Sequence, residues 1–207
     1  MYGRATRLQM PPQAIEKGIA TFKEKVVPAA KAQPGNLGLV MMVDRKTGAA
    51  IGITLWVSAQ AMGAAEQVGI NARTQTTAAT GGSIVNVERF EQVLRHQAGP
   101  MQAGGFVRVN TMAGDPSKLD NEIKFVEKQV VPVLQAQRGF RSLIMNADRL
   151  TGRSTVSTVW DSLADLEASE SKISSLRRDA ADAAGAKDVT VEVFESVFAE
   201  VKQPATA

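Results

Sequence analysis

An arginine and an asparagine two residues apart, Arg108 and Asn110 within Phe106-Val107-Arg108-Val109-Asn110-Thr111, have the types and spacing that most suggest chemistry. Alternate side chains of a strand share one face, so a guanidinium and a carboxamide would stand side by side. Together they could hold an anionic or carbonyl-bearing ligand and stabilise charge developing on it. On an exposed strand edge the same two groups would only be solvated. Arg4 and Thr6 repeat the spacing near the start of the chain. Arg73 and Arg177, in helical sequence, could bind a carboxylate or phenolate; a salt bridge across the two copies to Glu88 or Glu192 is the simpler account. Trp56 and Trp160 could stack on a flat aromatic while their N–H groups find partners; packing of a strand-helix corner is the more frequent role of a Trp so placed. Arg108 and Asn110 are therefore the candidate catalytic pair, and Trp160, Trp56, Arg177, Arg73 and Asn146 the candidate ligand-binding residues.

Other chemistries have less to work with. The chain has one histidine, His96, and no cysteine, which excludes a disulfide framework, a thiolate metal site and a Cys nucleophile. His96 alone reads as a surface residue. No paired-carboxylate spacing stands out, so no metal is expected. Lys+Arg 24 against Asp+Glu 21 gives a formal charge of +3, and the signs are interspersed, so nucleic acid is not an expected partner. No apolar leader and no run long enough to span a bilayer appear. A protein off the membrane and in the cytoplasm is the expectation.

The elements that must position these residues are written twice. Trp56 returns as Trp160, an offset of 160 − 56 = 104, and the same offset carries Val26-Val27-Pro28 onto Val130-Val131-Pro132 and Asp44-Arg45-x-Thr47-Gly48 onto Asp148-Arg149-x-Thr151-Gly152. Arg4, Arg73 and the Val85-to-Val93 segment have counterparts at that distance too. Such a unit is too long for a solenoid repeat, so the chain divides into a first repeat over 1–97, a linker over 98–104, a second repeat over 105–201 and a flexible tail over 202–207. Each repeat opens on a strand (Tyr2 to Leu8, Phe106 to Met112). A helix follows, marked by Ile15, Ile19, Phe22 and Val26 or Leu119, Ile123, Val126 and Val130. Pro28 and Pro132 should kink or finish it, and Asp115-Pro116 supplies an N-cap with Pro at the first helical position. Two strands joined by the Asp-Arg-x-Thr-Gly turn come next, then a helical region capped by Ser58 or Ser162 and ended by Gly81 or Gly185, then a last strand. The order β-α-β-β-α-β is that of the ferredoxin-like split βαβ. It leaves one sheet face bare, and two copies in one chain can cover each other. The expected fold class is α+β, two such units packed sheet to sheet as an intramolecular pseudo-dimer, with further homo-oligomerisation left open.

The copies differ in polarity. Where the first has Leu37, Met42 and Ile53, the second has Arg141, Asn146 and Ser157. Polar groups buried in a sheet are costly unless paired, which points to the second copy as the holder of any polar pocket.

A polar first strand, a Pro34-Gly35 turn before strand two, Trp56-Val57-Ser58 or Trp160-Asp161-Ser162 closing strand three, and the helix that follows resemble the dimeric α+β barrel superfamily, in particular antibiotic biosynthesis monooxygenase-like domains. The resemblance runs over nearly the whole chain, once per repeat, and its motifs are structural. It implies a cofactor-independent oxygenase of an electron-rich aromatic small molecule, acting without metal or flavin; a non-catalytic ligand-binding or interaction protein is the alternative on this scaffold. The haem-degrading branch is similar in an Asn on the first strand, which Asn110 matches. Its Trp and His positions fall near Ser169 and Arg178 here, or Glu66 and Thr74 in the first repeat, so haem degradation by that constellation is not expected.

Overall fold

The computed structural model describes residues 1–98 and 103–202. The expected linker and tail lie largely outside the described residues, on 99–102 and 203–207. Each repeat follows the expected order. The first has β1 (Tyr2–Gln9), α1 (Ile15–Thr21), α2 (Val27–Lys31), β2 (Asn36–Val43), β3 (Ala49–Trp56), α3 (Ala59–Ala64), α4 (Glu66–Thr80) and β4 (Ser83–Gln97). The second has β5 (Phe106–Ala113), α5 (Leu119–Phe125), α6 (Val131–Gln135), β6 (Phe140–Asp148), β7 (Arg153–Trp160), α7 (Leu163–Ala168), α8 (Glu170–Ala184) and β8 (Val189–Val201).

The local signals act through nameable contacts. Ser58 accepts from the Ala61 amide and Ser162 from the Asp165 amide, both at 3.1 Å, so each starts its helix by satisfying an orphan donor. Asp44 and Asp148 fold back on their own turns, taking the amides of Lys46 and Leu150 at 2.9 Å and the hydroxyls of Thr47 at 2.6 Å and Thr151 at 2.9 Å. Gly81 and Gly185 end α4 and α8 in the left-handed conformation.

The prolines do not end the helix. A π-helical turn, Phe22–Val26 or Val126–Val130, precedes each one, with Val27 and Val131 donating five residues back to the carbonyls of Phe22 and Val126. Proline lacks the amide that the next turn requires, and its ring would press on the carbonyl four residues earlier. Widening the turn relieves that conflict, so the helix continues to Lys31 or Gln135.

Along the hydrogen-bonded ladder the strand order is β1-β3-β2-β8-β5-β7-β6-β4 and closes on itself as a barrel, which removes free strand edges. The compact units are not the sequence repeats. One contains Met1–Arg89 and the chain from Glu195, the other the chain from Phe90 and Gly105–Phe194. The last part of β8 pairs with β2 from Gly38↔Val201 to Val43↔Glu195, and the last part of β4 pairs with β6 from Glu91↔Ala147 to Gln97↔Ser142. Gly38 lies at φ +139, and a Cβ there would stand 2.0 Å from the Glu200 carbonyl, so the β2–β8 pairing needs a glycine at this position. The turn arginines fasten the same strands: Arg45 binds Glu16 and, at 2.6 Å, Glu195, while Arg149 binds Glu91 at 3.0 Å and Asp120 at 3.1 Å.

Each unit has its own core between sheet and helices. In the first it is built on Leu8, Ile15, Ile19, Phe22, Leu39 and Met41, in the second on Leu119, Val126, Leu134, Leu143, Met145 and Trp160. No described helix is long and apolar enough to cross a membrane.

Candidate functional site

The arginines at the start of the two sheets point into the layer between sheet and helices. Arg4 is 3% exposed and Arg108 2%. Arg108 donates from Nη1 to Ser169 Oγ at 3.0 Å and from Nη2 to the Leu166 carbonyl at 2.6 Å, with Glu170 Oε2 3.2 Å away. Asn110 shares that face, as the strand period requires. Its amide donates to the Val156 carbonyl at 3.0 Å and its oxygen accepts from Arg177 Nε at 2.8 Å. Arg177 in turn grips Glu170 with Nη1 and Nη2, both at 2.8 Å. The candidate residues Arg108, Asn110 and Arg177 thus form one network closed by Glu170.

The first unit has the same frame with different fillings. Arg4 Nη2 donates to the Met62 carbonyl at 2.6 Å and lies 2.7 Å from Glu66 Oε2; Arg73 and Arg89 each reach Glu66 at 2.9 Å. Ala65 stands where the second unit has Ser169, and Thr6 where it has Asn110. Arg4 Nε is buried without a hydrogen-bond partner. Gly69 lets the guanidinium lie against α4, since a Cβ there would stand 2.6 Å from Arg4 Nη1.

Burial is the main influence on both buried arginines, pressing Arg4 and Arg108 below the ordinary guanidinium value, with Glu66 and Glu170 opposing it. For Glu66, burial pushes upward, but the bonds from Arg73 and Arg89 and the charge of Arg4 together hold it below the usual carboxylate range. Glu170 is lowered first by its bonds from Arg177. Both glutamates are therefore anions at neutral pH. They sit seven residues before Arg73 and Arg177, an ion-pair partner that the reading in favour of Glu88 or Glu192 missed. The signal was present, because Glu66 and Glu170 obey the repeat offset.

A cleft opens beside each network. In the first unit it holds about 550 Å³ counted out to its mouth, between Arg4, Thr6, Thr54 and Arg73 and the apolar Leu8, Phe22, Val26 and Met41. In the second it holds about 380 Å³, lined by Asn110, Arg177 and mainly aliphatic side chains including Val156, Ile173 and Leu176. No histidine or carboxylate lines either cleft.

The remaining candidates fall elsewhere. Trp56 and Trp160 are 1% and 0% exposed, and neither lines a cleft of this kind. Each indole donates to the threonine two residues earlier, Trp56 to Thr54 at 3.0 Å and Trp160 to Thr158 at 2.9 Å, and Trp160 meets Phe140 edge to face at 5.6 Å. Their place is the packed strand-helix corner. Asn146 alternates with the core residues Met145 and Ala147, so it takes the sheet face opposite the helices, where its Oδ1 is buried without a partner. Polarity in the second copy thus did not mark the wider cleft, which is in the first unit. His96 is half-buried, stacked on Phe140 at 6.4 Å and 2.7 Å from Gln135 Nε2. Among the described residues no cluster of His, Cys, Asp and Glu could hold a metal ion.

Sequence reasoning also missed Glu122. It is 1% exposed, accepts from Ser154 Oγ at 2.7 Å through one oxygen and has no partner for the other. Its mate in the first repeat is Gly18, so the repeat carries no trace of it.

The solved structures with this arrangement are barrels of the expected kind. A candidate monooxygenase from Fusobacterium nucleatum superposes with a TM-score of 0.71 at 11% identity, covering 97% of this chain and 94% of that one. An anthrone oxidase-like protein gives 0.68 at 14% identity, covering 100% and 95%. The chain has the dimeric α+β barrel fold of monooxygenase-like proteins. In sequence, an uncharacterised protein of Mycobacterium tuberculosis is 27% identical over 204 residues, 99% of this chain and 91% of that protein. No family model matches the dimeric α+β barrel chain.

Proposed function

We propose that this dimeric α+β barrel protein is a cofactor-independent oxygenase of a small, electron-rich aromatic molecule bound in the cleft between sheet and helices. The observation that carries the reading is an arginine on the wall of a mainly apolar cleft, Arg73 in the first unit and Arg177 at the same position in the second, joined in the first by the buried Arg4. An apolar wall takes a ring, and a guanidinium in a dry site favours the anionic form of a phenol or enol. That anion is the electron-rich species that dioxygen attacks. For a substrate with an activated methylene the outcome balances: the carbon gives up both hydrogens, one atom of dioxygen becomes its carbonyl oxygen, and the other leaves with the two hydrogens as water. Arg4 and Arg73 would hold the anionic oxygen in the first unit, with the apolar residues excluding water. The fold shared with an anthrone oxidase-like protein supports the substrate class by analogy.

One observation favours the second reading, a ligand-binding protein without catalysis. No lining side chain is placed to take a proton, so turnover requires a substrate acidic enough to ionise on binding. Oxygen uptake over a panel of anthrones, quinols and acidic phenols, without added metal or flavin, decides between them. Uptake above the buffer rate, saturating with substrate, is expected; no uptake with any compound alongside ligand-induced stabilisation would replace the oxygenase by the binding protein.

A further inference from the structure

We infer that the chain carries one ligand site rather than two, that it lies in the first unit, and that it selects a compact organic acid, a carboxylate or phenolate on a single ring. The inference rests on reading the clefts as ligand sites, and three independent differences between the units support it. The first is space. Gly52 and Ala72 of the first cleft are replaced by Val156 and Leu176 in the second, which narrows the same frame from about 550 to about 380 Å³.

The second difference is charge. Three guanidiniums, Arg4, Arg73 and Arg89, converge on the single carboxylate of Glu66. In the second unit the mate of Arg89 is Val193, and among the described residues Glu170 pairs with Arg108 and Arg177. The first network is therefore positive by two charges and the second by one, counting each arginine against its glutamate. An excess of cation next to a low-dielectric wall attracts an anion.

The third is hydrogen bonding. In the second unit Ser169 and Asn110 occupy the donors of Arg108 and Arg177. In the first, Ala65 and Thr6 do not, and Arg4 Nε stays buried and unpaired. Such a donor carries a cost that a bound carboxylate oxygen would remove. The Arg108–Asn110–Arg177 network is satisfied from within.

The test is a titration of the full chain with benzoate, 2-hydroxybenzoate and 1-naphthoate, and with neutral benzamide, by calorimetry and by amide NMR shifts. One equivalent per chain is expected, with shifts centred on Thr6 and Ala72, and benzoate should bind at least tenfold more tightly than benzamide. Ala72→Leu, which copies the second unit, should weaken binding at least tenfold. Arg89→Val, at a side chain 55% exposed and so safe for folding, should weaken it severalfold. Leu176→Ala should leave the first site unchanged. Two equivalents, shifts centred on Asn110, equal affinity for benzamide, or no binding of any of the three acids at roughly 10 mM would each overturn the inference. Binding of the acids without oxygen uptake would sink the oxygenase and leave the site standing. Uptake unaffected by Ala72→Leu would do the reverse.

Discussion

Arg177 donates from Nε to Asn110 Oδ1 at 2.8 Å, joining the middle of α8 to the first strand of its sheet. The bond changes what Asn110 is for in the second unit. A carboxamide whose oxygen is held by Arg177 and whose amino group is held by the Val156 carbonyl is a spacer between helix and sheet before it is a ligand contact.

Arg108 should behave accordingly. Arg108→Ala removes the donor to Ser169 and one of two side-chain donors to the Leu166 carbonyl, which keeps Ser169 Oγ at 2.6 Å, and each hydrogen bond lost costs about 0.5–1.5 kcal/mol. The ion pair with half-exposed Glu170 adds little, since solvent screens it. Urea denaturation should show a lower midpoint; an unchanged midpoint with lost oxygen uptake would return Arg108 to a purely catalytic role.

Glu122 predicts a pH dependence with a definite sign. Burial raises its pKa above the ordinary 4.5, with the Ser154 bond opposing. A carboxyl raised in the folded state stabilises the fold when protonated, and that contribution is lost as pH climbs from the unfolded value through the folded one. Against Glu122→Gln, which keeps the shape without the charge, the wild-type chain should lose stability progressively as pH rises above 4.5. Denaturation midpoints that stay parallel across the range would contradict a buried, raised carboxyl.

Trp160 should be a stability residue. Its indole is 0% exposed, bonded to Thr158 and packed on Phe140, so Trp160→Ala should cost about 3–5 kcal/mol. Ligand affinity per folded molecule should be preserved. Loss of benzoate binding in a Trp160→Phe protein that melts near wild type would instead place the indole in the site.

At Gly38 the prediction concerns backbone. The φ of +139 and the 2.0 Å approach to the Glu200 carbonyl leave alanine no unstrained position, and strain of this kind costs about 1–3 kcal/mol. Gly38→Ala should lower the thermal midpoint and speed hydrogen exchange in β2 and the end of β8. An alanine variant as stable as the wild type would mean that β8 does not pair there.

What could be read from the chain was whatever is decided within a few residues. The Asp44 and Asp148 turns, the Ser58 and Ser162 caps and the terminal Gly81 and Gly185 each act on neighbouring backbone, and the 104-residue offset certified them twice. The π turns escaped because Pro28 and Pro132 have two ways to avoid the clash, stopping the helix or widening it, and the choice depends on what the helix packs against. The Arg-Glu networks were half legible, since their members recur at the offset but their pairing needs the helix laid on the sheet. Glu122 could not be found at all. In the first unit Gly18, Met10 and Ala50 stand where Glu122, Gly114 and Ser154 stand in the second, a three-way exchange of side chains that only a packed core brings together.

The pairing of β2 with Glu195–Val201 also sets a timetable for synthesis. A ribosome makes residues 1–89 before the strand that completes their sheet, which follows only after the whole of the other unit. Until then β2 presents Leu39, Met41 and Val43 beside an unpaired row of backbone donors and acceptors, at the stage when nascent chains are most exposed to aggregation. This unit is thus begun before the other and finished after it, and a chain halted before Glu195 would be a client for a chaperone.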